Sequence, residues 1–283
     1  VRRALLLWLF AAALPAAEPR RIVSTTPSIT EILFALGLGP RVVGVTSFCR
    51  YPPEALRLPK VGSFLDPHIE VILGLRPDLV IVQKNPVRLT ERLQAVKLRV
   101  IEVDPESIGG VYKTIDEIAR AAGVSEKGLQ LSQSIRGELQ GLRRRAEKLP
   151  RRTVLFIVGR TPGTLDGLIA AAKGSYLDEL LQVAGGKNVL GDSPAAYPKI
   201  THEELFARNP EVIIDMGDST HTGVITGQHR RGVVRLWQRF PKLDAVRNRR
   251  VYAVADDRFV VAGPRMTEAV REFGKMLHPE AGW

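Results

Sequence analysis

Cysteine is almost absent from this chain: Cys49 is the only one among 283 residues, so no disulfide can close within it. A lone thiol in such a sequence reads as a small buried residue rather than a nucleophile. Aromatics make up only 6% of the residues, and none interrupts the basic runs at 143–145, 151–152 and 247–250. Those runs therefore read as solvated faces, and no nucleic-acid partner is expected despite a net charge of +11. The five histidines, His68, His202, His221, His229 and His278, are scattered without an H-x-H or H-x3–4-H pair, so no metal centre is expected. No G-x-G-x-x-G follows the first strand pattern, and the chain has neither a P-loop nor a G-x-S-x-G elbow. Catalysis on the familiar nucleotide or hydrolase templates is excluded, and neither a catalytic residue nor a resident cofactor is expected.

Long hydrophobic runs are also missing. The longest, at residues 4–14, follows Arg2 and Arg3 and precedes small residues. It is too short to span a bilayer comfortably, so residues 1–17 read as a secretory signal, with an uncleaved anchor as the alternative. No cysteine stands near it to carry a lipid, and the expected location is the periplasm.

What is present is alternation. Runs at 21–24, 42–45, 78–82 and 99–103 have the β-branched character of short buried strands, and helical patterns lie near 29–37, 68–75, 89–96 and 109–122. The alternation restarts with strands at 153–158, 212–215 and 250–254 and helices near 175–184, 202–208, 232–239 and 266–277. This predicts an α/β protein with two Rossmann-like lobes, each built on a mostly parallel sheet. Between them, Leu131, Ile135, Leu139, Leu142, Ala146 and Leu149 mark one face of a continuous helix. Over 126–149 that helix would extend roughly 36 Å and act as a stiff strut between an N-terminal lobe at 18–125 and a C-terminal lobe at 150–283. The alternative is one more sheet-covering helix in a single domain.

One device occurs twice. HIEVILGLRPDLVI (68–81) and HEELFARNPEVII (202–214) align at an offset of 133 residues, placing Glu70 on Glu203, Pro77 on Pro210 and Asp78 on Glu211. Thr201 and Glu204 form a T-x-x-E capping box that leaves Glu203 free, while Asp66 and Pro67 offer a cap and first turn ahead of Glu70. Ser28 and Glu31 match a further capping box. Either glutamate alone could simply complement a helix dipole.

The segments TTPSITEILFALGLGPRVVGVTSFCRYPPEA (25–55), VGSFLDPHIEVILGLRPDLVIV (61–82), GSYLDELLQVAGGKNV (174–189), YPKITHEELFARNPEVII (197–214) and DDRFVVAGPR (256–265) run through nearly the whole mature chain. In this order they resemble the helical-backbone binding proteins of ATP-driven importers for cobalamin, ferric siderophores and haem, most of all the cobalamin binders. The resemblance implies a ligand cleft between the lobes, a protein that is monomeric when free, and a partner permease dimer with its ATPase subunits. It also implies that Glu70 and Glu203, one per lobe, dock on arginines of that permease.

In open α/β sheets ligands gather beyond the carboxyl ends of strands. That rule points to Phe48, Phe64, Gln83, Arg160, Asp257, Arg258 and Phe259 as ligand contacts, Tyr197 just before the second glutamate device is a further candidate, and the resemblance matches Phe48, Phe64, Tyr197 and the 257–259 stretch to cleft positions. Aromatic faces would cover a flat macrocycle while Asp257 and the arginines met its polar edges. A cobalt corrinoid is the expected ligand. A cleft holding Arg160 and Arg258 would instead suit an anionic ferric chelate. Tryptophans that line the cleft of the cobalamin binders are replaced by Phe64, Gln83 and Tyr197. A sensor, an adhesion protein or an enzyme on the same fold are the remaining classes. The Gly-, Thr- and His-rich stretch at 216–232 is a candidate cleft cover.

Overall fold

The computed structural model describes residues 18–217 and 225–283. The leader and the centre of the 216–232 stretch lie outside these. The first lobe runs β1 (Ile22–Ser24), α1 (Pro27–Ala35), β2 (Val42–Gly44), α2 (Ile69–Gly74), β3 (Leu79–Gln83), α3 (Leu89–Ala95), β4 (Val100–Val103) and α4 (Ile108–Ala121). Then come α5 (Ser125–Ala146) and the second lobe: β5 (Arg152–Gly159), β6 (Ile169–Ala171), α6 (Tyr176–Val183), β7 (Gly186–Asn188), α7 (His202–Arg208), β8 (Val212–Asp215), α8 (Gly227–Trp237), α9 (Asp244–Arg247), β9 (Val251–Ala253) and α10 (Met266–Leu277).

The first sheet is wholly parallel in the order β2-β1-β3-β4, with Ile22 opposite Leu79 and Val80 opposite Val100. Leu79, Val80, Ile81 and Val82 are all fully buried, because helices cover both faces and no solvent side remains for a polar alternation. The second sheet has the order β6-β5-β8-β9 and is parallel except for β6; β7 pairs with the start of β5 and β6 with its end.

The repeated device is a structural repeat. Asp78 accepts from the backbone N–H groups of Arg20 and Arg21 at 2.7 and 2.9 Å, pinning the start of β1 beside β3. Its counterpart Glu211 accepts from the Thr153 N–H at 2.8 Å and pins β5 beside β8 in the same way. Ile72 and Leu205, again 133 apart, are the buried anchors of α2 and α7.

Helix α5 buries Ile135, Leu139 and Ala146, with Leu131 and Leu142 partly covered, as the spacing predicts. It is not a free-standing strut. One continuous core passes from Ile22 and Ile29 in the first lobe, through α4 and α5, to Phe156, Leu180 and Phe273 in the second. Gly128 is the close approach: a Cβ there would stand 2.5 Å from that of Ala119 in α4.

Candidate functional site

A cavity of about 500 Å³ lies between the lobes. Every strand of the first sheet reaches it at or just past its carboxyl end: β1 through Thr25 and Thr26, β2 through Thr46 and Phe48, β3 through Gln83, β4 through Pro105 and Glu106. The second lobe adds Val158 at the end of β5, the start of α6 at Ser175 and Tyr176, and Tyr197 and Val260. Phe48 and Tyr197 are about half exposed, at 55% and 51%, so each presents an aromatic face with no protein partner over much of its area.

Three hydroxyls of the cavity lining are satisfied within the protein. The Thr25 hydroxyl donates to the Ile81 carbonyl at 3.1 Å, the Ser28 hydroxyl to Gln83 Oε1 at 3.3 Å, and the Ser175 hydroxyl to the Ala172 carbonyl at 2.8 Å. Burial raises the Tyr176 phenol well above its usual range, and burial with the nearby Glu106 charge raises that of Tyr197, so both stay neutral. Among the described lining residues Glu106 is the sole ionisable carboxylate, and none is a lysine, arginine or histidine. Cys49 is buried beneath it, its thiol raised by burial against the hydrogen bonds of Thr30 and Thr46.

Phe48, Phe64, Gln83 and Tyr197 thus line the cavity, but the other four expected contacts do not. Arg160 turns into the second lobe, where its Nε donates to Asp215 at 3.0 Å and its Nη1 to the Thr164 carbonyl at 3.0 Å. Trp237 completes that buried cluster, its indole N–H donating to Asp215 at 2.7 Å. Arg258 is held by Asp256 at 2.8 Å and Glu268 at 3.3 Å, and Asp257 by Arg265 at 2.8 Å. Phe259 is core, stacked on Phe273 with ring centroids 5.1 Å apart. The tight turn at 257–259 winds these side chains away and brings the next three, Val260, Val261 and Ala262, to the cavity. The basic cleft expected for an anionic chelate is therefore absent from the described lining.

The capping expectations also divide. Thr201 caps α7 by accepting from the Glu204 N–H at 3.2 Å, but the Glu204 carboxylate turns to Arg208 at 3.0 Å instead of closing the box. Helix α2 begins at Ile69, two residues after Pro67, with His68 as an N-cap that makes no side-chain bond. Asp66 is spent in the preceding turn, where its N–H donates to the Ser63 hydroxyl at 3.0 Å. The consequence is a closer match than the sequence suggested: Glu70 and Glu203 are both the second residue of their helices, and both are exposed. The Glu203 carboxyl is held below its usual range by its own backbone N–H and the Thr201 hydroxyl.

Nor do Ser28 and Glu31 form a box. Thr26 is the N-cap of α1, and Glu31 is buried against Arg265, whose Nε donates to it at 3.0 Å. Arg265 opens α10, so this pair crosses between the lobes, and its guanidinium also lies 4.1 Å from the Tyr51 ring centroid. Burial would lower the Arg265 pKa, but its bonds to Glu31 and Asp257 raise it overall. The two partners stand 234 residues apart, beyond any local motif. By contrast Pro105 and Glu106 were open to the strand-end rule, since they directly follow the strand pattern at 99–103.

No helix among the described residues is long and apolar enough to cross a membrane. A family model described as "Periplasmic binding protein" matches residues 22–257. An uncharacterized ABC transporter substrate-binding lipoprotein of Bacillus subtilis, YvrC, is 31% identical over 93% of this chain and 81% of its own length. Among solved structures, the periplasmic vitamin B12-binding protein BtuF of Vibrio cholerae superposes with a TM-score of 0.76 at 27% identity, covering 94% of this chain and 98% of that one. The periplasmic haem-binding protein RhuT of Roseiflexus sp. RS-1 does so with a TM-score of 0.78 at 28% identity, covering 93% and 99%. With its two lobes, its central helix and its interlobe cavity, the chain belongs to the periplasmic binding protein family, the substrate-binding components of ABC importers.

Proposed function

We propose that this protein is an exported carrier that captures a corrinoid in the interlobe cavity and delivers it to a permease dimer, on which Glu70 and Glu203 dock. The observation that carries the ligand assignment is the described lining: apolar and aromatic faces, hydroxyls and one amide, with Glu106 as the only charge among those residues. A corrin ring edged by neutral amides suits such a surface. Haem carboxylates and anionic ferric chelates would meet no cation among those residues, and would be desolvated there without a partner. The chain itself makes and breaks no bond; capture, docking and release complete its cycle.

Calorimetry and visible absorption with cobalamin, cobinamide, haem and a ferric siderophore test the ligand class. The corrinoids are expected to bind at least about tenfold tighter than either anionic ligand, a difference of about 1.4 kcal/mol. A siderophore or haem as the tightest ligand overturns the corrinoid reading and leaves a carrier of another cargo.

A further inference from the structure

Each docking glutamate has an apolar companion. Leu73 lies three residues after Glu70 on α2, and Phe206 three residues after Glu203 on α7, so each pair shares one helix face. Leu73 and Phe206 are themselves 133 residues apart, in register with the rest of the repeat. Both are large apolar side chains left substantially exposed, at 39% and 41%, while their neighbours Ile72 and Leu205 are buried. Phe206 is braced from behind by Phe240, edge to face with centroids 5.2 Å apart, which fixes its outer edge in place. Six residues before each glutamate stands an aromatic of the cavity lining, Phe64 in one lobe and Tyr197 in the other. Each Glu-plus-apolar face therefore follows a cavity-lining aromatic at the same spacing in both lobes.

We infer that Glu70 with Leu73 and Glu203 with Phe206 form two equivalent composite pegs, each inserting an apolar side chain beside a charge pair into the two-fold permease. This rests on the docking reading above. An exposed carboxylate orients and accelerates encounter but holds weakly. The apolar residue beside it supplies a hold that salt does not screen. A partner with two equivalent basic sites, each next to an apolar depression, fits this pair of faces. A second copy of this chain fits less well, because it would set carboxylate against carboxylate.

The test measures docking of the ligand-free protein to the purified permease–ATPase complex in lipid nanodiscs, at low and high salt. Leu73→Ser with Phe206→Ser is expected to weaken docking at least tenfold at both salt concentrations. Glu70→Lys with Glu203→Lys is expected to abolish docking at low salt. Val71→Ser, two residues before Leu73 and so on another side of the same helix, and Leu129→Ser, on the exposed side of α5, should change nothing. Cross-linking supplies a readout independent of affinity. Leu73→Cys and Phe206→Cys, each labelled with a thiol-directed photo-cross-linker while the buried Cys49 stays unreactive, should both attach to the permease subunit. If the serine pair docks like wild type while the lysine pair fails, the apolar pegs are wrong and charge docking stands. If neither pair matters, the docking reading falls and the inference with it. A concentration-dependent dimer of the free protein that Leu73→Ser abolishes would assign these faces to self-association instead.

Discussion

Burial drives the Glu31 carboxyl from its ordinary 4.5 up to about 7, and the Arg265 guanidinium offsets this only in part. Desolvation is the main cause, and the charge of Asp257, which shares the same guanidinium, adds to it. A carboxyl whose folded value lies above its unfolded value stabilises the fold at low pH. That contribution is complete below about pH 4.5 and is lost as pH rises through about 7. The gap is worth about 3 kcal/mol. Glu31→Gln keeps the shape and an acceptor for Arg265 without the titration. Relative to wild type, it should therefore gain up to about 3 kcal/mol between pH 4.5 and pH 8 in urea unfolding; a difference that does not move with pH would show Glu31 ionised throughout. Residues of this kind explain what the sequence withheld. The strand-end rule led to Phe48 and Gln83, because it concerns where the backbone emerges, whereas Phe64 and Tyr197 stood out through the resemblance. The rule says nothing about which way a side chain turns. Arg160 was drawn inward by Asp215, and Arg258 was held away from the cavity by Asp256 with Glu268.

At the scale of elements, periodicity was a faithful guide where segments were long. The apolar spacing of 131–149 located α5 and its buried face, and β-branched runs located the parallel strands. The strands β6 and β7, three residues each, carry too little pattern to be read, and both are positioned by pairing with β5. Glycine spacing was equally silent, yet α5 uses its glycines in opposite ways. Gly137 has nothing within reach of a Cβ, so Gly137→Ala should stabilise the protein by about 0.5–1 kcal/mol through helix propensity alone. Gly128 lies against Ala119, and the same change there should destabilise by about 1–3 kcal/mol by forcing α4 and α5 apart. Urea midpoints of the two variants check the signs; two stabilising changes would mean that α4 and α5 have slack at their crossing.

Across the whole molecule, two lobes were legible but their union was not. Hydrophobic patterns mark each sheet separately, and only packing reveals that α4, α5, α6 and α10 merge the first lobe's core with much of the second's. Polar ties reinforce the merger. The Glu31–Arg265 pair is one, and another is Glu179 of α6, which accepts from the Ile108 N–H at the start of α4 at 2.7 Å. A body joined in this way should unfold as one unit. The scarcity of reporters makes that easy to see. Cys49 is fully buried in the first lobe, while Trp237 is fully buried in the second and Trp283 packs against its last helix. With Trp8 replaced through Trp8→Phe, thiol reactivity of Cys49 reports the first lobe and tryptophan fluorescence reports the second. The two urea transitions should coincide in midpoint and slope. If Cys49 reacts at markedly lower urea than the fluorescence changes, the lobes are energetically separate and the shared core does not couple them. Coincident curves would mean that α5 works as part of a packed interface, so that the Glu70 and Glu203 faces are held at one fixed separation, as the proposed docking requires.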